Sequence, residues 1–190
     1  MTVKEILYKA NLLVDSKLDP ALFDSATDDL SALQLVSTSQ VAQKLVRCIN
    51  LVCDEILTDY FPVIKYQTVA VTDKKVCFSQ LQGKPCAVLS VKDGAGKNLP
   101  FKYGEGCILL SNGNVTIKYT TLFEDVTVVD SVTFGSPQVT SRTVAYGVAM
   151  EYYLLCGDYE NAQTWRQRFY QALKSCRKMG EIKMPCRRWL

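Results

Sequence analysis

The chain has 190 residues, of which 48% are hydrophobic, so it is long and apolar enough for one domain, or one domain with a sizeable insertion. Its 22 basic and 19 acidic side chains give a formal net charge of +3, which does not indicate the strongly basic face typical of nucleic-acid-binding proteins. The sequence contains no histidine, which excludes Ser-His-Asp and Cys-His catalytic sites and the common zinc motifs.

The cysteine content is high, but the spacing does not indicate a metal site. The eight cysteines are Cys48, Cys53, Cys77, Cys86, Cys107, Cys156, Cys176 and Cys186. None forms a C-x-x-C pair, and the chain begins with a capping box, Thr2 to Glu5, rather than a targeting segment. We therefore expect reduced core cysteines in an intracellular protein. No run approaches the ~18 to 20 apolar residues of a membrane span, so we expect no membrane partner.

Helical periodicity dominates the first third of the chain. Residues 2–15 predict a first helix whose buried face is Val3, Ile6, Leu7, Ala10 and either Leu13 or Val14. Asp19-Pro20 predicts a brief helical turn, because proline is favoured at the first helical position. Ser25–Ser31, together with the preceding Asp24, is predicted to be an exposed acidic connector. Its Asp24, Asp28 and Asp29 lack the ligand spacing and the glycine of a calcium loop.

Ser37–Tyr60 predicts a second, long helix that Pro62 ends. Its apolar band is broad, with one stripe widened by a second. The band comprises Val41, Leu45, Cys48, Val52 and Ile56, together with Val46, Ile49, Cys53 and Leu57. So wide a band predicts contact on two sides, against the C-terminal helices and against something else, such as a neighbouring subunit.

From Ile64 to Thr121 the hydrophobic period falls from 3.6 to 2, which predicts an antiparallel β unit of five or six short strands. The predicted strands are Tyr66–Thr72, Val76–Gln80, Cys86–Lys92, Leu99–Tyr103, Cys107–Leu110 and Val115–Thr120. Asn112-Gly113 is a strong hairpin signal. Gly94–Lys97 superficially resembles a phosphate loop, but it lies between strands without the required spacing, so we interpret it as a turn. Residues 122–138 return the chain to helical structure.

Ser141–Lys178 predicts an antiparallel helical hairpin. Its first arm starts at Thr140 and Ser141, Gly157 suits a left-handed stop, and Asp158 can cap the second arm. The packing faces are predicted as Val144, Ala145, Val148, Tyr152 and Leu155 in the first arm, and Ala162, Trp165, Phe169, Ala172 and Cys176 in the second. The hairpin tyrosines, Tyr146, Tyr152, Tyr153, Tyr159 and Tyr170, fit either core packing or a protein–protein surface.

The segment after Gly180 combines cations with an aromatic anchor at the chain end. Its candidate contact residues are Lys183, Arg187, Arg188, Trp189 and Leu190. Because Trp and Arg dominate interface energies, we interpret the segment as a docking element for another protein, with a disordered end as the alternative.

The order of a long helix, an inserted β unit and a helical hairpin resembles head-to-tail adaptor (connector) proteins of tailed bacteriophages and prophages. The recognisable similarity is confined to about 50 residues at the C-terminus. It is carried by Tyr146, Ala149, Tyr152, Gly157, Ala162, Trp165, Arg168 and Ala172, and by the closing Arg187-Arg188-Trp189.

The resemblance implies a structural virion protein, not an enzyme, with no cofactor. It implies a ring, commonly dodecameric, between the portal and a downstream tail or stopper protein, with genomic DNA passing through without sequence-specific contacts. The protein would be in the host cytoplasm during assembly and then in the virion. In such families the C-terminal tail often grips the portal, so the five tail residues above become the expected portal contacts.

The expected fold is α+β: an antiparallel bundle of three long helices plus a short one, with one inserted β unit. The expected boundaries are 1–62 with 138–180 for the helical core, 63–137 for the β unit with its return segment, and 181–190 for the tail. A nucleic-acid-binding β unit is an alternative, with aromatics beside lysines. These residues are Tyr66, Phe78, Phe101, Tyr103 and Tyr119, and Lys74, Lys75, Lys97, Lys102 and Lys118. A cysteine-based enzyme is a weaker alternative.

Overall fold

The computed structural model describes residues 1–14, 16, 18, 39–111 and 113–178. The chain divides into two compact units, which we call the helical unit (Met1–Cys53 with Asp125–Leu190) and the β unit (Asp54–Glu124). The predicted turn at Asp19-Pro20, the acidic connector at 24–31, the first residues of the second predicted helix and the tail 181–190 lie outside the described residues.

The α-helices of the described ranges are α1 (Val3–Leu13), α2 (Gln40–Glu55), α3 (Ser141–Leu155) and α4 (Tyr159–Lys178). Helix α1 begins at the predicted cap, since the Thr2 hydroxyl accepts a hydrogen bond from the Glu5 amide at 3.3 Å. The Glu5 carboxylate accepts from Lys9 and Ser141, so the cap is one-sided and not the predicted capping box. Its predicted face is confirmed: Val3, Ile6, Leu7 and Ala10 are fully buried, and Val14 rather than Leu13 completes it.

A hydrogen-bonded triad joins the start of α1 to the start of α3. The Lys9 ammonium donates to the Glu5 carboxylate at 2.8 Å and to the Ser141 hydroxyl at 2.6 Å, and Ser141 donates to Glu5 at 2.7 Å. The hydrogen bond from Lys9, followed by that from Ser141, lowers the pKa of the Glu5 carboxyl. The triad therefore ties together two helices that are more than a hundred residues apart in the chain.

The helices α2, α3 and α4 meet at Gly147, in the middle of α3. A Cβ atom placed on Gly147 would lie 2.7 Å from Cγ1 of Val52 and 2.9 Å from Cε2 of Phe169, both of which are fully buried. Only a residue without a side chain allows α2 and α4 to approach α3 this closely.

The backbone of the segment between the β unit and α3 is hydrogen-bonded to α2 and to the start of the chain. The Asn50 side chain in α2 donates to the Val126 carbonyl at 3.2 Å and accepts from the Val126 amide at 3.0 Å. The Val3 amide donates to the Asp130 carbonyl, and the Val132 amide to the Met1 carbonyl. These bonds satisfy backbone groups of a segment that has little regular structure of its own.

The β unit contains two three-stranded sheets. Strands β1 (Ile64–Val71), β6 (Gly113–Thr121) and β3 (Pro85–Asp93) form the first, in the order β1-β6-β3. Strands β2 (Lys75–Cys77), β5 (Cys107–Leu109) and β4 (Lys102–Gly104) form the second, in the order β2-β5-β4. The sheets share one core, made of Val76, Leu81, Val88, Val91, Ile108, Leu110, Val115, Ile117 and Tyr119.

The predicted fold class is wrong in its architecture. The described chain holds four α-helices and two separate three-stranded sheets, where one β unit inserted into a bundle of three long helices and a short one was expected. Asp73 and Lys74 adopt positive φ and redirect the chain from β1 to the second sheet, whose strands are only three residues long. The predicted helix to Tyr60 stops being α-helical at Glu55, because Ile56–Tyr60 widens into a π turn in which the Phe61 amide donates to the Ile56 carbonyl.

Candidate interaction surface

The reversal between α3 and α4 is built as the sequence predicts. Gly157 has φ +77, and its amide donates to the Leu154 carbonyl at 3.1 Å. The Asp158 carboxylate accepts from the Asn161 amide at 3.1 Å and from the Asn161 side chain at 2.7 Å, and these bonds lower the pKa of Asp158. The predicted stop and cap are both confirmed, and they fix two antiparallel helices side by side.

The reversal exposes a group of apolar side chains that we call the hairpin tip: Leu154, Leu155, Cys156 and Tyr159. Leu155 is 54% exposed and Tyr159 is 72% exposed. The prediction that Leu155 belongs to the packing face is therefore wrong, because α3 ends at this residue and the chain reverses directly after it. Exposed apolar groups this close together in the chain favour contact with another molecule.

A second apolar surface lies on α1. Tyr8 and Leu12 are four residues apart, which places them on one line along the helix, opposite the face that packs in the core. Leu12 is 54% exposed and Tyr8 is also exposed. We call these two residues the α1 outer pair. In the sequence these two residues are apolar positions outside the predicted buried face of the helix. The sequence analysis did not identify them as a surface.

Two arginine and two aromatic side chains contact one another across α3 and α4. The Tyr146 and Trp165 rings stack at 5.7 Å, Arg142 lies over Tyr146 at 5.8 Å, and Arg168 lies over Trp165 at 4.8 Å. The contacts run in series, from one guanidinium through two stacked rings to a second guanidinium. They place Tyr146 and Trp165 within the hairpin contact, with exposed cations on both sides.

A second cation–π pair continues along α4, where Arg166 lies 5.7 Å from the Tyr170 ring centroid. After Glu160 this helix contains no acidic residue, and its exposed side chains include Arg166, Arg168, Lys174 and Arg177. Stacked guanidinium groups keep their N–H edges free for carboxylates or phosphates. The signal in the sequence is an arginine three or four residues from an aromatic residue, a spacing that the prediction did not use.

The aromatics of the β unit are divided between its core and its surface. Tyr119 is fully buried, and its hydroxyl bonds to the Gln67 side chain and to the backbone of Gln82. Phe78 and Phe101 pack against the core. Tyr66 is 67% exposed with the Lys118 ammonium 5.7 Å from its ring centroid, and Tyr103 is exposed while its hydroxyl bonds to the Val88 backbone. The five aromatics therefore do not share one surface.

The segment Gly94–Lys97 is a closed turn, as predicted. The Asp93 carboxylate accepts hydrogen bonds from the Ala95 and Lys97 amides, each at 2.9 Å, and the Asp93 amide donates to the Lys97 carbonyl. These amides are consequently used within the turn, which leaves them unavailable to a phosphate.

The cysteines differ in their surroundings. Cys48 and Cys53 are fully buried, and burial raises the pKa of each thiol to about 12. Cys86 and Cys156 are exposed, so the prediction of core positions is wrong for these two. In the described ranges no cluster of three or more His, Cys, Asp or Glu could hold a metal ion. Nor is any described helix long and apolar enough to cross a membrane.

The predicted contact residues of the tail, Lys183, Arg187, Arg188, Trp189 and Leu190, lie outside the described residues. No protein-family profile matches the chain, and no curated protein matches it.

Proposed function

We propose that the protein is a non-enzymatic virion component, a head-to-tail adaptor whose copies form a ring between the portal and the tail. Its C-terminal tail docks on the portal, with Lys183, Arg187, Arg188, Trp189 and Leu190 as the contact residues. A downstream tail or stopper protein is the partner on the other side, and genomic DNA passes through the ring without sequence-specific contacts. The protein is in the host cytoplasm during assembly and in the virion afterwards.

The observation that carries this proposal is the presence of two apolar surfaces that the described residues of the helical unit leave exposed. The hairpin tip and the α1 outer pair lie on different elements, and each exposes leucine and tyrosine. A subunit of a closed ring needs two different lateral surfaces, one for each neighbour. Two surfaces of this kind suit that requirement.

The stack across α3 and α4 supports the same proposal. Arg, Trp and Tyr are the residue types that dominate protein–protein interface energies. In this chain they are held in fixed positions by cation–π contacts, so little side-chain entropy is lost when a partner binds. The exposed cations of α4 suit a partner surface rich in carboxylates.

Burial argues against two of the cysteines as catalytic nucleophiles. A thiol with a pKa of about 12 is almost entirely protonated at neutral pH, and the thiolate is the nucleophilic form, so Cys48 and Cys53 are poor candidates. Their complete burial also separates them from any substrate in solvent.

The proposal is tested by electron microscopy and light scattering of the purified protein, alone and with the portal protein of the same genome. We expect rings for the wild-type chain, and loss of rings for Leu12→Lys and Leu155→Lys, because each places a charge where an apolar contact forms. Leu89→Lys is the matched control: Leu89 is 48% exposed, but it lies in the β unit. Rings that persist in both helical variants would refute the assignment of these surfaces.

Portal docking is tested separately by deleting residues 181–190. We expect the truncated protein to keep its helical circular dichroism but to lose attachment to the portal in a pull-down assay. Trp189→Ala should weaken attachment without affecting the fold, because an aromatic anchor supplies much of the contact energy. Undiminished attachment of the truncated protein would show that the tail is not the docking element.

Nucleic-acid binding by the β unit is the second candidate, and the exposed pair of Tyr66 and Lys118 favours it. If this were the function, the monomer would bind single-stranded DNA in a salt-dependent manner, and Tyr66→Ala would reduce the affinity. Ring formation without nucleic acid, together with binding that Tyr66→Ala leaves unchanged, would eliminate it.

A further inference from the structure

Strand β1 is an edge strand that is hydrogen-bonded on one side. It pairs with β6 with Ile64 opposite Thr120 and Val71 opposite Gly113, and the Thr121 amide donates to the Val63 carbonyl. In this register the odd-numbered residues of β1 point their backbone groups at β6, and the even-numbered residues point theirs away. Among the described residues, no hydrogen bond reaches the outward backbone groups of Ile64, Tyr66, Thr68 and Ala70.

The same four residues are exposed through their side chains. Exposed and half-buried positions alternate along the whole of β1, and the exposed ones are again Ile64, Tyr66, Thr68 and Ala70. All four are uncharged. Edge strands that resist pairing often carry lysine or proline at such positions, or are covered by another segment. At its four exposed positions β1 carries neither residue, and its one charged side chain, Lys65, lies on the half-buried face.

The opposite edge of the same sheet is closed. Along β3, the Leu99 amide donates to the Val91 carbonyl at 2.8 Å, and the Asp93 amide donates to the Lys97 carbonyl at 3.0 Å. The Tyr103 hydroxyl lies within hydrogen-bonding distance of both the amide and the carbonyl of Val88. Neighbouring segments therefore use the outward backbone groups of β3, whereas those of β1 have no such partner among the described residues.

We propose that β1 is the pairing site for β1 of a second copy of this chain. Two antiparallel β1 strands related by a two-fold axis place Ile64 opposite Ala70 and Tyr66 opposite Thr68 of the other copy. All outward residues then fall in hydrogen-bonded pairs, which gives four pairs and about eight backbone hydrogen bonds. The β1-β6-β3 sheets of the two copies then form one six-stranded sheet. No like charges face each other across the two-fold axis.

A second copy fits this edge because the partner must be a long, extended and open strand. In the described part of the chain β1 alone has these properties: β3 is closed, and β2 and β4 are three residues long. The pairing goes beyond the proposed function, since a ring whose subunits all point the same way has no two-fold axis between neighbours. It therefore joins subunits of the free protein, or joins two rings back to back.

The test compares Ala70→Pro with Ala70→Ser in size-exclusion chromatography with light scattering across a concentration series. Proline removes the outward amide and its ring obstructs the partner strand, but the β6 side of β1 keeps its hydrogen bonds. We expect a concentration-dependent dimer for the wild type and for Ala70→Ser, and a dissociation constant raised on the order of 100-fold for Ala70→Pro. If the free protein already forms rings, paired rings should become single rings in the proline variant.

Amide hydrogen exchange provides the second measurement and checks the fold. In the dimer the amides of Tyr66 and Thr68 should be protected, and on dilution they should exchange freely while the amides of β6 stay protected. The proposal is overturned if the wild type is monomeric up to about 100 µM without paired rings. It is equally overturned if Ala70→Pro leaves the dimer unchanged. Since single rings can form with or without β1 pairing, failure of this proposal is distinguishable from failure of the adaptor function.

Discussion

Gly147 gives the sharpest test of the helical packing, because the structure fixes the sign of the effect. In an ordinary helix, Gly→Ala stabilises by about 1 kcal/mol. Here the new methyl group would lie 2.7 Å from a methyl of Val52 and 2.9 Å from the ring of Phe169, on two different helices. Overpacking of this kind costs about 1 to 3 kcal/mol, and we take the upper end because both neighbours are fully buried. The net expectation is a loss of about 2 kcal/mol.

The assay is thermal unfolding followed by the helical circular dichroism signal. For a chain of this length, about 2 kcal/mol corresponds to a decrease in Tm of about 4 to 8 °C. Gly94→Ala is the control, since nothing lies within 4 Å of its added Cβ and its φ is not positive, and it should change stability by less than about 0.5 kcal/mol. A Gly147→Ala protein as stable as the wild type, or more stable, would refute the close approach of the helices.

A double-mutant cycle identifies the neighbour responsible. Val52→Ala alone should destabilise the protein, because it removes buried methyl groups. In the Gly147→Ala background the same change removes one of the two clashing groups, so the combined loss should be smaller than the sum by about 1 kcal/mol. Strict additivity would mean that Val52 does not restrict the space at Gly147.

Three further predictions concern the helical unit and the cysteines. Asn50→Ala should lower the free energy of unfolding by about 1 to 3 kcal/mol in denaturant unfolding, because it leaves the amide and carbonyl of Val126 without partners. Asn114→Ala, at an exposed position, is the control. Equal stability of the two variants would mean that the hydrogen bonds between Asn50 and Val126 do not stabilise the fold. The pKa of Glu5 is lower in the folded state than in the unfolded state, where it is about 4.3. Glu5 therefore stabilises the fold at pH values above about 4.3, and this stabilisation is lost as the pH falls through the folded-state pKa. Glu5→Gln should therefore have nearly the same free energy of unfolding as the wild type at low pH and a slightly smaller one at neutral pH. The difference is small because the pair with Lys9 is partly exposed. Parallel curves of unfolding free energy against pH for the two proteins would contradict this. In native protein a thiol reagent should label Cys86 and Cys156 quickly and Cys48 and Cys53 only upon unfolding, and fast labelling of the buried pair, read by mass spectrometry, would show that their burial is wrong.

The sequence predicts well those features that depend on a few neighbouring residues. The Thr2 cap, the positive φ of Gly157 and the Asp158 cap are local, and each was predicted from residue type and position. The buried face of α1 was also predictable, since a period of 3.6 is a property of the helix itself. Local chemistry of this kind does not require knowledge of the rest of the fold.

Features that depend on distant packing were missed. Nothing in the run Ser37–Tyr60 indicates that its last turn widens into a π turn, because the apolar spacing continues through Ile56 and Leu57. The Arg–aromatic stack joins Arg142 and Tyr146 to residues about twenty positions later, so only its two local pairs could be seen in the sequence. The exposure of Leu155 follows from where α3 ends, which periodicity does not define.

The division into two sheets, and with it the open edge of β1, shows why alternation alone cannot give a β topology. Strand β1 alternates regularly between exposed and half-buried residues, whereas the alternation of β3 is interrupted at two register shifts, and neither pattern shows which segment lies beside the strand. What distinguishes them is the segment that lies beside each one: Leu99 and the Tyr103 hydroxyl close β3, whereas β1 receives no such cover among the described residues. After the positive φ values of Asp73 and Lys74 the chain enters the second sheet, and its contact beside β1 is at Thr72, just beyond the end of the strand, where the Lys75 amide donates to the Thr72 carbonyl. The course of the chain after this turn, which the alternating pattern does not show, leaves the outward positions from Ile64 to Ala70 available to another molecule.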